Sequence, residues 1–119
     1  MYKLQGGDII YKIAIVEDEP KAADTLDAML AQYAEENGVS IETSKYQNAV
    51  VFLSNYSARF DIIFMDIEMP HLSGMECAEK LREIDNSTLL IFATNLANMA
   101  AQGYSVDAFD FIVRHIYII

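Results

Sequence analysis

Two apolar runs in this sequence end in carboxylates. Ile13-Ala14-Ile15-Val16 is followed at once by Glu17-Asp18-Glu19, and Ile62-Ile63-Phe64-Met65 by a lone Asp66. If both runs are buried strands of one parallel sheet, their ends deliver these side chains to the same edge. Two or three carboxylates a few ångströms apart repel by several kcal/mol at an effective dielectric of about 20, so they either share a proton or hold a cation. Oxygen-only ligands with room left for water suit Mg²⁺ better than a transition metal. Asp18 and Asp66 are then direct ligands, Glu17 acts through water, and the backbone carbonyl of Glu68 completes the protein's share. A metal-bound aspartate oxygen is also a nucleophile toward a phosphoryl group, because the cation neutralises charge gathering on the transferred oxygens. The Thr94 hydroxyl and the Arg114 cation supply donors for the remaining oxygens, and Glu68-Met69-Pro70-His71-Leu72-Ser73-Gly74 supplies backbone around the site.

The elements that must position these residues follow from the hydrophobic pattern. Apolar runs alternate with amphipathic stretches along the whole chain, which predicts a parallel sheet covered by helices. Five strands are expected, over residues 12–16, 40–45, 61–66, 89–94 and 108–113. Four of them read as continuous apolar runs buried on both faces, whereas the second alternates and belongs at the rim. Pro20 opens a first helix carrying Ala23, Leu26, Met29, Leu30, Tyr33 and Ala34, and Asn37-Gly38 stops it. Asn48 caps a short helix with Val51, Phe52 and Tyr56 on its apolar side. Ser73-Gly74 precedes a third helix with the stripe Met75, Ala78, Leu81 and Ile84, and a weaker fourth spans residues 96–104. Right-handed crossovers put every strand-to-helix loop on one edge of the sheet, where doubly wound folds bind ligands.

The 119 residues fit one domain, and 53% hydrophobic content is ample for a packed core. A formal charge of −10 excludes direct nucleic-acid binding by this chain, since phosphate contacts need clustered Lys and Arg. No apolar stretch is long enough to span a bilayer and the N-terminus lacks a signal-peptide layout, so a cytoplasmic location is expected. The single cysteine, Cys77, permits no internal disulfide and reads as a buried thiol on a helix face.

Taken together, Ile13-Ala14-Ile15-Val16-Glu17-Asp18-Glu19-Pro20, Phe64-Met65-Asp66-Ile67-Glu68-Met69-Pro70 with Ser73-Gly74-Met75, Phe92-Ala93-Thr94-Asn95 and Asp107-Ala108-Phe109-Asp110-Phe111-Ile112-Val113 resemble the receiver domain of bacterial two-component response regulators. The resemblance covers roughly residues 11–116. Thr94-Asn95-Leu96-Ala97 and Gly103-Tyr104-Ser105-Val106-Asp107-Ala108 look like regulators whose output is a LytTR-type DNA-binding domain. The resemblance implies a flavodoxin-like five-stranded sheet of order 2-1-3-4-5, with residues 1–10 as an N-terminal extension and 11–119 as the receiver. It implies that Asp66 accepts phosphate from a sensor histidine kinase with Mg²⁺ held by Glu17, Asp18 and Asp66. It also implies that Thr94 follows the phosphoryl group while Phe111 rotates inward, a two-state element biased by one new charge and coupled to transcription. Such a domain catalyses only its own phosphorylation and dephosphorylation.

Two features depart from the family pattern. The family's lysine and cis-proline at the end of the fifth strand are replaced by Arg114-His115. Arginine keeps the charge on a longer, planar group, and a cis bond before a non-proline residue costs about 2.5–4 kcal/mol, so a trans bond and a reshaped loop are expected. The sequence also stops where the family's fifth helix begins, with Ile116-Tyr117-Ile118-Ile119 suited to extending a strand. An uncovered apolar sheet face predicts a homodimer or strand-exchanged oligomer.

Plainer readings stand beside each assignment. Asp66 at a strand end can be a capping residue, Glu17 and Asp18 a solvated turn, Thr94 ordinary β-branched strand material, and Asn95 either a gate for water or a turn former. Glu19 favours the dipole of the first helix, and His71 and His115 read as exposed loop residues. Two other functions compete with the phosphorylation switch. A haloacid-dehalogenase-type phosphatase also has a strand-end nucleophile with an acid two positions on, like Asp66 and Glu68, but places it on the first strand. A degenerate receiver acting as a phosphorylation-independent interaction module fits Arg114-His115.

Overall fold

The computed structural model describes residues 9–57, 59–94 and 110–113, with Thr94 and 110–113 described through their backbone. The elements are β1 (Ile10–Val16), α1 (Pro20–Asn37), β2 (Ser40–Tyr46), α2 (Ala49–Ser54), β3 (Ile62–Met65), α3 (Gly74–Ile84), β4 (Leu89–Thr94) and β5 (Asp110–Val113). The strands form one parallel sheet in the order β2-β1-β3-β4-β5, as the family resemblance implies.

Side-chain alternation divides the central strands between two cores. Ala14, Val16, Ile63, Met65, Leu90 and Phe92 face the larger core, which also holds Phe52 of α2 and Cys77, Ala78 and Leu81 of α3. Ile13, Ile15 and Phe64 face the smaller core with Ala23 and Leu30 of α1, where Ile62, Ile91 and Ala93 are only half-buried. β2 at the rim has no buried residue, in agreement with its alternating pattern.

Helix ends follow local chemistry. Pro20 opens α1, and Gly38, at φ 64°, closes it by donating its N–H to Ala34 O. The Asn48 side chain caps α2 by accepting the Val51 N–H at 2.8 Å. Ser73 and Glu76 form a reciprocal capping box at the start of α3.

Several boundaries differ from expectation. β1 begins at Ile10, inside the expected N-terminal extension, because Ile10 and Tyr11 already pair with Ser40 and Ile41 of β2. α2 stops at Ser54, which leaves Tyr56 beyond the helix, and Val51 faces outward. Tyr33 and Ile84 are exposed although their spacing suits an apolar stripe, while Leu30 and Leu81, three residues before each, are buried. Residues 1–8, the fourth helix expected over 96–104, the start of the fifth strand at Ala108, and the tail 114–119 with its Arg114-His115 bond lie outside the described residues.

Candidate functional site

The sheet's carboxyl edge is built by continuing its ladders one residue past the strands. Glu17 N–H donates to Tyr46 O and Asp66 N–H donates to Val16 O, both at 3.0 Å. Val16 pairs in register with Met65, so the next residues, Glu17 and Asp66, emerge side by side. Carboxylate oxygens of Glu17, Asp18 and Asp66 all lie within 4.8 Å of one another. Glu17 and Asp66 are buried, at 8% and 6% exposure, whereas Asp18 is open to solvent. Glu17 also accepts the Glu19 N–H at 3.2 Å, which ties its carboxylate to the entrance of α1.

Two ionised carboxylates 4.8 Å apart repel by about 3 kcal/mol at an effective dielectric of about 20, and solvent weakens this for the pairs that include exposed Asp18. Three hard oxygen donors with one exposed side fit Mg²⁺ with retained water, so these residues suit the ion.

The loop after β3 leaves Glu68 exposed between Ile67 and Met69, which are both buried in the larger core. Leu72 N–H donates to Pro70 O at 2.8 Å around His71, whose φ of 70° is left-handed. Gly74 N–H returns to Ile67 O at 2.8 Å. Thr94 ends β4 on the same edge, two residues past the Met65–Phe92 pair, and Phe111 of β5 is in register with Phe92. Arg114 and Asn95 lie outside the described residues, as do the side chains of Thr94 and Phe111.

Cys77 is fully buried and burial pushes its thiol up to about 12, the condition of an inert packing residue. Two features escaped the sequence reading. One is the steric closeness of Gly74 to Asp66. The other is a polar joint in which the Tyr56 hydroxyl donates to Asp85, which also accepts the N–H and hydroxyl of Ser87, both at 2.9 Å. The Asp85-Asn86-Ser87 spacing is a turn signal; the pairing with Tyr56 spans 29 residues and has no local signature.

Residues 13–117 match the family model of the response regulator receiver domain. The chain belongs to this family, and is therefore a receiver domain rather than a conventional enzyme; the phosphatase alternative is set aside. It is 32% identical over 103 residues to the sensory transduction protein LytT of Bacillus cereus, covering 87% of this chain and 41% of that protein. It is 30% identical over 106 residues to the transcriptional regulatory protein BtsR of Escherichia coli, covering 88% of this chain and 42% of that protein. The chain thus spans less than half the length of these curated relatives. Its fold is similar to that of response regulator TrrA of Thermotoga maritima, solved in complex with Mg²⁺ and BeF, with a TM-score of 0.66 and 26% identity, covering 87% of this chain and 86% of that one. Among the described residues no helix is long and apolar enough to cross a membrane.

Proposed function

We propose that Asp66 is the phosphoacceptor of a cytoplasmic signalling switch that takes its phosphoryl group from a sensor histidine kinase and controls transcription through an output module. The observation that carries this reading is the convergence of buried Asp66 with Glu17 and Asp18 to within 4.8 Å. The chain's likeness to the transcriptional regulatory protein BtsR supports a transcriptional output.

In this reading Glu17, Asp18, Asp66 and the Glu68 carbonyl hold Mg²⁺. When bound, the ion neutralises charge on the transferred phosphoryl oxygens. An Asp66 carboxylate oxygen attacks phosphorus, the P–N bond of the kinase's phosphohistidine breaks, and the imidazole leaves with the electron pair, giving an aspartyl phosphate. Thr94 donates its hydroxyl to the new phosphate and Arg114 adds a charge-assisted contact. Movement of Thr94 releases space that Phe111 fills, which alters the surface near β4 and β5. This reading includes self-association through the fifth-strand and tail region, as a homodimer or strand-exchanged oligomer.

Incubation with acetyl phosphate or beryllofluoride and Mg²⁺ tests the assignment. The wild type gains one phosphoryl mass by intact mass spectrometry, and Asp66→Asn gains none. An unmodified wild type sinks the switch and favours the phosphorylation-independent interaction module.

A further inference from the structure

Resting on Asp66 as the phosphoacceptor, we infer that the first turn of α3 is a positioning clamp for that carboxylate, with Gly74 as the contact residue. Gly74 is buried, and a Cβ placed on it would lie 2.0 Å from the carbonyl oxygen of Asp66, 2.8 Å from its carbonyl carbon and 2.8 Å from Cα of Ile67. All three atoms are backbone, so no side-chain rotation relieves the overlap. The helix start therefore rests directly on the peptide unit that carries the site carboxylate.

The turn that makes this contact is itself held in place. The Ser73 hydroxyl accepts the Glu76 N–H at 3.1 Å, Glu76 accepts the Ser73 N–H at 3.2 Å, and Gly74 N–H bonds to Ile67 O at 2.8 Å. Ile67 and Met69 anchor the intervening loop in the larger core. On its other side Asp66 is tied to β1 through its N–H and Val16 O. Its backbone is gripped from both directions, which fixes where the carboxylate leaves the chain. Glu17 and Asp18 follow β1, so any outward shift of the α3 start moves Asp66 relative to them. A displacement of about 1 Å in a reacting group can cost about 100-fold in rate.

The test compares wild type, Gly74→Ala, Ser73→Ala and Gly38→Ala. Gly38 ends α1 on the opposite edge of the sheet, at φ 64° and with no atom within 4 Å of where a methyl would stand, so its substitution strains the backbone without approaching Asp66. Mg²⁺ affinity is read by NMR titration and labelling by acetyl phosphate is read by intact mass, each normalised to the folded fraction from circular dichroism. Gly74→Ala is expected to lose at least about tenfold in both quantities per folded molecule. Ser73→Ala, which loosens only the cap, shows a smaller loss in the same direction, and Gly38→Ala matches wild type. If Gly74→Ala does not fold, Ser73→Ala against Gly38→Ala decides. Clamp variants equal to wild type per folded molecule, or an equal loss in Gly38→Ala, overturn the clamp. A wild type that neither binds Mg²⁺ nor takes the label overturns the phosphoacceptor assignment, and the clamp with it, so the two failures are distinct.

Discussion

Asp18 is the exposed member of a trio whose other two carboxylates are buried. Without a cation its charge adds repulsion to a site that Glu17 and Asp66 already load, and in the proposed Mg²⁺ site it would supply a ligand. Asp18→Asn separates the two effects. In Mg²⁺-free buffer the variant is expected to melt at a higher temperature than wild type, because one repulsive charge is gone. Adding Mg²⁺ to about 100 times its Kd should stabilise wild type by about 2.7 kcal/mol and leave the variant nearly unmoved. Thermal melts with and without Mg²⁺ measure both, and an equal Mg²⁺ response in the two proteins would remove Asp18 from the ligand set. The trio was legible in the sequence because strand ends in a parallel sheet share one edge, so an apolar run followed by an acid fixes the acid's place. The contact between Gly74 and Asp66 was not, since it depends on how far α3 approaches β3, and motif spacing does not specify that distance.

At the scale of elements, the joint between α2 and α3 is polar where the pattern suggested only packing. Tyr56 stands just past α2, with its ring 5.2 Å from that of Phe52 in an edge-on arrangement, and its hydroxyl reaches Asp85 at the C-cap of α3. Burial would raise the Asp85 carboxyl, but hydrogen bonds from Tyr56, Ser87 and Thr88 outweigh it and hold the group below its ordinary value. Burial first, and then the bond to Asp85, raise the Tyr56 phenol above its own ordinary value. A depressed carboxyl contributes stability that is present above its unfolded pKa of about 4 and is lost as pH falls through the folded value. A raised phenol contributes stability that is present below its unfolded pKa of about 10 and is lost as pH rises through the folded value. Tyr56→Phe should therefore cost about 1.5–3 kcal/mol at neutral pH, as for a hydrogen bond to a charged acceptor. Denaturant unfolding of the two proteins should converge below about pH 4 and begin to converge above about pH 10. A pH-independent difference would mean that the space left by the hydroxyl, not its hydrogen bond to ionised Asp85, is responsible. Hydrophobic periodicity located β1 to β4 and the caps of α1 and α2, because burial on both faces and Asn or Gly end signals act locally. It placed Tyr56 on the helix and Ile84 in the core because a 3.6-residue period does not show where α2 stops, nor that the buried stripe of α3 ends at Leu81.

For the molecule as a whole, two opposing terms set the tendency to self-associate. On the α1 side of the sheet Ile62, Ile91 and Ala93 are half-buried, and Leu89, which shares their face by strand alternation, is 44% exposed. Pairing this face between two copies removes apolar surface from water and gains about 25 cal/mol per Å² before the costs of association. Against it stands a formal charge of −10 on each copy, which repels a second copy over the Debye length. That length falls from about 30 Å at 0.01 M salt to about 10 Å at 0.1 M. Added salt should therefore drive association, the reverse of what an interface held by ion pairs would show. Light scattering at tens of micromolar protein is expected to give a mass nearer the monomer at low salt and to rise toward a dimer or larger species on adding salt. Leu89→Lys, at an exposed position, should abolish the rise while circular dichroism stays that of wild type. A monomer at every salt concentration would rule out this face as a contact between copies, and a mass that falls with salt would assign the contact to charges elsewhere.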